Sequence, residues 1–349
     1  MYNQKTKNKP KNLMTKDEVI VLGIETSCDE MAVSVVRNGK DVLSDILYSQ
    51  TDVHSLYGGV VPEIASRAHT DKIIPLIDSA LFEAGLSLMD IDAIAVTTNP
   101  GLIGALIVGV SAAKALSYAG NIPLIGVNHI EGHICANFVG NNSLEPPFVA
   151  VVVSGGHTAI YQVSDYTSYT YLGGTSDDAI GECFDKVARV LGLPYPGGPQ
   201  IDKLSKTGQA TISLYKDKKS VRDDLMLSYS GLKTAAINYL HNAKQKGETV
   251  ALNDFCASLT VAAVDLLVDT AILAAKKVGL RTIALAGGVA ANGYLRSRLL
   301  EVAGRDNIKV SIPPLRYCTD NAVMIASRAY YSIKKGQNLC GLDLNAGLV

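Results

Sequence analysis

The chain has 349 residues, 48% of them hydrophobic and 19% charged, with a formal net charge of -1. That length and balance support about two domains with substantial cores and exclude a disordered chain. They also exclude a nucleic-acid binder that works by bulk positive charge, while leaving a local basic patch open.

The first 16 residues are polar and lysine-rich with no apolar centre, which reads as part of a disordered tail over 1–18 rather than a secretory signal. Residues 19–24 form a short apolar, β-branched run, the pattern of a buried strand. The run ends in the polar turn Glu25-Thr26-Ser27-Cys28-Asp29-Glu30. Residues 32–36 predict a second strand, and Asn38-Gly39 a hairpin turn into a third. Strand, polar turn, strand can hold hydroxyls and carboxylates against a phosphate or its metal, although hairpins with polar turns are common. A glycine loop at 58–63 precedes helical spacing over 64–84, which carries Arg67 and His69. Residues 91–97 predict a strand, Asn99-Pro100-Gly101 a turn, and residues 102–118 a helix. Such a turn presents backbone N–H groups to an anion, or is simply a tight βα connection. A short strand follows over 122–127.

Next comes Asn128-His129-Ile130-Glu131-Gly132-His133. On a helix the two histidines share one face, one turn apart, so two imidazoles can hold one metal ion. The order is not that of zinc proteases, because Ile130 rather than a glutamate follows the first histidine. An ordinary pair of core or surface histidines fits the same spacing.

Residues 141–147 are a polar, proline-bearing break and the expected domain boundary. The second half then repeats the first in outline: a buried strand over 148–153, the small-residue turn Ser154-Gly155-Gly156-His157-Thr158, and a returning strand. Later come a strand over 282–286, Gly287-Gly288, and a helix over 291–300. Residues 173–191 have a helix-like pattern containing Asp177, Asp178, Glu182, Asp185 and Lys186. The glycines of Pro194-Tyr195-Pro196-Gly197-Gly198-Pro199 allow close backbone approach to a ligand. Ser230-Gly231-Leu232-Lys233-Thr234 opens a predicted helix, and 216–224 reads as a solvated insertion. Cys318-Thr319-Asp320-Asn321-Ala322 opens the last helix, with Thr319 or Asp320 the expected N-cap. The apolar runs over 101–120, broken by Lys114, and 255–275, which carries Asp265 and Asp269, read as buried helices rather than bilayer spans. The six cysteines include no Cys-x-x-Cys pair, so they read as reduced thiols of a cytoplasmic protein.

In this order the motifs resemble the TsaD family (also called Gcp or Kae/Qri), the tRNA adenosine threonylcarbamoyltransferases. The resemblance covers about 21–326. It rests on the segments 23–30, 61–67, 128–133, 153–158, 177–186, 195–199, 230–234, 286–292 and 318–322. It implies an α/β, actin-like fold of the sugar-kinase and heat-shock ATPase (ASKHA) type: two duplicated lobes with an inter-lobe cleft. Lobe I would take 19–147 plus a return at about 320–349, and lobe II 148–319. It implies one divalent metal, iron(II) with zinc or magnesium as alternatives, held by His129, His133 and Asp320. It implies a substrate pocket lined by Val152, Val153, Ser154, Gly155, Gly156, Asp185, Gly198, Asp202 and Asn292. Taken from the residues alone, Asp185 and Asn292 read as a helix cap and a βα-turn bond. The donor would be threonylcarbamoyl-AMP and the acceptor tRNA. Partners would be a TsaB-like paralogue and a TsaE-like P-loop ATPase, with no membrane.

A carboxylate at the mouth of a phosphate-type turn suits proton acceptance, which makes Asp29 or Glu30 the candidate catalytic residue. Asn99 stands where the family usually has glycine, which questions how closely backbone approaches a ligand there. Met31, Leu227 and Tyr229 are further departures. Rival readings are an actin-fold small-molecule kinase or ATPase, a metalloprotease, and a nucleotide-gated scaffold.

Overall fold

The computed structural model describes residues 13–140, 143–214, 221–337 and 340–347. The chain begins with the hairpin strands β1 (Ile20–Glu25), β2 (Met31–Arg37) and β3 (Asp41–Tyr48), then α1 (Thr51–Ser55) and α2 (Pro62–Glu83). β4 (Ala93–Asn99), α3 (Ile103–Gly120), β5 (Leu124–Asn128) and α4 (His129–Cys135) follow. The next group is β6 (Phe148–Val153), β7 (Thr158–Asp165), β8 (Ser168–Thr175), α5 (Ile180–Val190), α6 (Gly197–Ser205) and β9 (Met226–Leu227). The chain continues with α7 (Ser230–Lys246), α8 (Leu252–Lys277), β10 (Thr282–Ala286), α9 (Gly293–Arg305), β11 (Lys309–Ser311) and α10 (Ala322–Lys334).

Two compact units result. One holds the residues up to Ser49, Pro62–Asn142, and Asn321 onward; the other holds Gln50–Val61 and Ser143–Asp320. The sheet of the first has the order β3-β2-β1-β4-β5, with β1–β3 an antiparallel meander and β4 and β5 parallel to β1. The second runs β11-β10-β6-β7-β8-β9, with β6–β8 the meander and β10 and β11 parallel to β6. Apart from the two-residue β9, the connectivity is the same, so the architectural repeat read in the sequence is a repeat of sheet topology. Asn38 and Gly39 make the β2–β3 turn with φ of 52° and 67°, the paired positive values of a type I′ hairpin.

Several boundaries differ from the sequence reading. Residues 50–61, assigned above to lobe I, group with the second unit. The expected tail is ordered from Leu13, which is buried. Lys16 Nζ pairs with Asp92 at 2.6 Å, and Asp92 also accepts the Ile20 N–H, so a buried carboxylate anchors this segment. Residues 1–12 of that tail, and 216–220 of the expected insertion, lie outside the described residues. The helix-like stretch 173–191 is helical only from Ile180; β8 runs to Thr175, and Asp177 and Asp178 lie in the connecting loop. The last helix is capped by Asn321, whose side chain accepts from Met324 N at 2.9 Å, rather than by Thr319 or Asp320.

Two described helices are long and apolar enough to cross a membrane, α3 and α8. α8 buries Phe255, Leu259, Val264, Leu267 and Val268 in the core of its unit, and α3 buries Ala105, Leu106, Val110 and Ala113. None of the six cysteines is in a disulfide; burial pushes the Cys183 thiol up to about 12, with Asp178 adding to the effect, which makes it inert at neutral pH.

α10 packs flat on β1 because Gly23 has no side chain: a Cβ there would stand 2.4 Å from the Ala322 carbonyl oxygen. Since that neighbour is backbone, Gly23→Ala is expected to destabilise the first unit by about 1–3 kcal/mol or more. A denaturant melt of the variant checks this.

The Asp177 loop is tied to the start of α7. Asp177 accepts from Ser228 Oγ at 2.6 Å, Ser230 Oγ at 2.7 Å, Tyr229 N at 2.8 Å and Ser230 N at 3.2 Å. Partial burial works to raise its pKa, but these four donors outweigh it and hold the carboxyl well below the usual range. A depressed folded pKa contributes stability that is present above the unfolded value and lost as pH falls below it. Asp177→Asn is therefore expected to cost roughly 1 kcal/mol at neutral pH, the group being solvent-screened. The gap between variant and wild type should close as pH drops below about 4. Thermal melts of both proteins across that window measure it.

Candidate functional site

In the first unit the three parallel strands β1, β4 and β5 end side by side, and their carboxyl ends carry the polar residues. β1 ends in Glu25, β4 contains Thr97, and β5 passes directly into α4 at His129. Asn128 starts α4 by accepting the N–H groups of Ile130 at 2.8 Å and Glu131 at 3.2 Å, a regular N-cap. With the helix set, His129 and His133 lie one turn apart with ring centroids 4.5 Å from each other, and both are buried. One ligand atom from each, together with a carboxylate oxygen of Asp320, falls within a span of 4.8 Å. Asp320 immediately precedes Asn321, the cap of α10, and α10 packs on α4. Two interactions fix that packing. A Cβ on Gly132 would stand 2.8 Å from the Ile325 terminal methyl, so the glycine lets that side chain lie close against α4. Glu131 binds Arg328 of α10 at 2.8 Å, and Arg328 also reaches Ser332.

The donor set fits a divalent transition metal. Two imidazoles and one carboxylate suit iron(II) or zinc, and three protein ligands leave coordination positions for a substrate. A further observation supports the fit. His129 Nδ1 lies 3.0 Å from Glu25 Oε2 and 3.2 Å from Ser27 Oγ, so Nε2 is the nitrogen that an ion would take. Metal-binding histidines commonly have their second nitrogen engaged in this way. Glu131, by contrast, is committed to Arg328 and is not placed as a protease-type base.

Asp29 and Glu30 are partly exposed in the β1–β2 turn. His69 anchors that turn, its Nε2 standing 2.8 Å from the Cys28 carbonyl. A further carboxylate, Glu25, fully buried and absent from the candidates above, meets His129. Its signal was present in the sequence: an acidic residue closing an otherwise apolar, buried strand. Asn99 does not have positive φ. The glycine that this turn requires is Gly101, where a Cβ would stand 2.6 Å from the Ser27 carbonyl oxygen.

The expected pocket residues form a bank in the second unit. Val152 and Val153 end β6, fully buried, and Ser154 closes a tight turn with His157. β10 is the parallel neighbour of β6, and Gly287 after it has φ +88° and sits against Val153, where a Cβ would be 2.4 Å from the carbonyl oxygen. Gly181 at the start of α5 packs on the Ser154 carbonyl. Asp185 Oδ1 accepts the N–H groups of Gly197 at 2.8 Å and Gly198 at 3.0 Å, opening α6. Asp202 on α6 accepts Gly293 N at 3.0 Å, and Asn292 caps α9 through Leu295 N at 2.9 Å. Asp185 and Asp202 thus join α5, α6 and α9. The local bonds of Asp185 and Asn292 are the roles that the residues alone suggested as an alternative. Gly155, Gly156 and Gly198 differ from their neighbours: a Cβ on any of them would meet nothing within 4 Å.

Among solved structures the chain is similar to HypF of T. kodakarensis, with a TM-score of 0.61 and 13% identity over 91% of this chain and 48% of that one. It is also similar to component A of the (R)-2-hydroxyglutaryl-CoA dehydratase of Acidaminococcus fermentans, with a TM-score of 0.55 and 15% identity over 90% and 99%. At such identity the likeness defines the fold, and with the repeated sheets it makes this an actin-like protein of the ASKHA class. Residues 41–327 match the family model of TsaD, tRNA N6-adenosine threonylcarbamoyltransferase. Proteins of that name from Clostridium perfringens (strain ATCC 13124) and Clostridium botulinum (strain Kyoto) are 51% and 50% identical, over 95% of this chain and 97% of theirs. The chain belongs to the TsaD family and is a transferase of tRNA processing.

Proposed function

We propose that the chain transfers the threonylcarbamoyl group of threonylcarbamoyl-AMP to the exocyclic amine of the adenosine beside the anticodon, in tRNAs that read codons beginning with adenine. The amine nitrogen bonds to the carbamoyl carbon, the bond from that carbon to the AMP oxygen breaks, AMP leaves, and the amine gives up a proton. The observation that carries this reading is the family match over 41–327.

The mixed anhydride is already activated, so the protein's task is to position the reactants and to offset charge. His129, His133 and Asp320 would hold one divalent ion, iron(II) with zinc or magnesium as alternatives. When bound, the ion supplies Lewis-acid stabilisation to the phosphate and carbamoyl oxygens. Gly155 and Gly156 would present backbone N–H groups to the donor's anionic part. Asp185 sets the position of Gly198, while Asp202 and Asn292 fix the start of α9 beside it. Asp29 or Glu30 would accept the amine proton. Single-turnover transfer with preformed adenylate tests that role, since unchanged rates in both Asp29→Ala and Glu30→Ala dismiss it.

The protein would act in the cytoplasm with a TsaB-like paralogue and a TsaE-like P-loop ATPase. The decisive experiment supplies adenylate, unmodified tRNA and these partners, with and without the chain, and measures the modified nucleoside by mass spectrometry. Formation of threonylcarbamoyladenosine only when the chain is present is the expected result. Its absence under all conditions overturns the proposal.

A further inference from the structure

We infer that Glu25 is a positioning residue of the metal centre: it holds the Nδ1 proton of His129 and so turns the bare Nε2 toward the ion. The inference rests on the metal reading above. Glu25 is fully buried at the carboxyl end of β1, and each of its oxygens is accounted for. Oε1 accepts the Ser27 backbone N–H at 2.5 Å. Oε2 accepts the Thr97 hydroxyl at 2.5 Å and lies 3.0 Å from His129 Nδ1. Both oxygens are thus placed as acceptors, and a hydrogen bond from His129 to Oε2 in that role requires the proton on Nδ1. The neutral ring then has its lone pair on Nε2, the atom a metal needs. The backbone of the turn just past β1, the side chain from β4 and the imidazole after β5 thus converge on one carboxylate, and the register of the three strands brings them together.

Glutamine at this position separates positioning from packing, because it has the same shape and reverses one side of the pattern. The Ser27 N–H is always a donor, so the amide oxygen turns to it and the NH2 group turns to Thr97 and His129. Thr97 can rotate its hydroxyl to accept. His129 must then offer an unprotonated Nδ1, which moves its proton to Nε2 and blocks the ligand position.

The test uses the full chain and two readouts. In metal-free protein, nitrogen-15 shifts of the His129 ring, assigned by their loss in His129→Gln, should report the Nδ1-protonated tautomer in wild type and the Nε2-protonated one in Glu25→Gln. Titration with cobalt(II) or iron(II) should show affinity lowered about 10–100-fold in Glu25→Gln, with circular dichroism unchanged. An Nε2-protonated His129 in the wild type, or wild-type metal affinity in the variant, overturns the inference. The wild-type tautomer alone decides the matter if the variant does not fold. It involves no metal, so it is independent of the metal reading, which fails separately if a His129→Ala/His133→Ala double variant retains its ion.

Discussion

His129→Ala and His133→Ala are each expected to lose the bound ion and to slow threonylcarbamoyl transfer about 10²–10³-fold, the several kcal/mol that a Lewis acid contributes at a transition state. Of the three candidate ligands, two are on a single helix turn, so removing either leaves an imidazole and a carboxylate that cannot close the site. The loss should be one of function more than of fold. α4 has attachments besides the imidazoles: Asn128 caps it, Gly132 lies against α10, and Glu131 is paired with Arg328. Elemental analysis of the purified variants, with circular dichroism as the check on folding, measures the first effect. Single-turnover transfer measures the second. Stoichiometric metal in the double variant would refute the site.

Asp320 shows both how far the sequence could be read and where it stopped. From sequence, Asp320 had a plain alternative as the cap of the last helix. The cap is Asn321, so the structure assigns Asp320 no such duty and places its carboxylate within reach of both imidazoles. That juxtaposition brings together residues almost two hundred positions apart, and no local pattern contains it. The strands were legible because they are short, apolar and bounded by glycine, asparagine or proline; the buried run over 148–153 is β6 to the residue. The stretch 173–179 departs from its helical spacing because it finishes β8 and then turns through a loop whose Asp177 and Asp178 carboxylates find partners at the start of α7, which local spacing cannot anticipate. Likewise Glu25 looked like the first residue of a polar turn. Only the alignment of β1 with β4 and β5 reveals it as the buried partner of His129. The sequence thus carried the elements and the type of chemistry, and strand register supplied the contacts.

Gly155→Val and Gly156→Val are expected to leave the fold intact and to reduce transfer roughly 10²-fold, the loss that follows a misplacement of about 1 Å in a bound reactant. Some glycines near this site are there to admit protein atoms. At Gly181 a Cβ would meet the Ser154 carbonyl oxygen at 2.5 Å, and at Gly287 the Val153 carbonyl oxygen at 2.4 Å with φ at +88°. Gly155 and Gly156 have neither constraint: both are exposed, neither has positive φ, and a Cβ on either meets nothing within 4 Å. If packing alone decided these positions, larger residues would fit them. The space they leave open gives room for the donor's phosphate or carbamoyl oxygens to approach backbone N–H groups, as proposed above. Melting temperatures should stay within about 1–2 °C of wild type for the two valine variants, as for other exposed substitutions. Gly181→Ala and Gly287→Ala should melt well below it, because each forces a side chain against backbone. The KM for the adenylate should rise in the valine variants while metal content remains that of the wild type. Wild-type KM and rate in both would show that the turn does not cradle the donor.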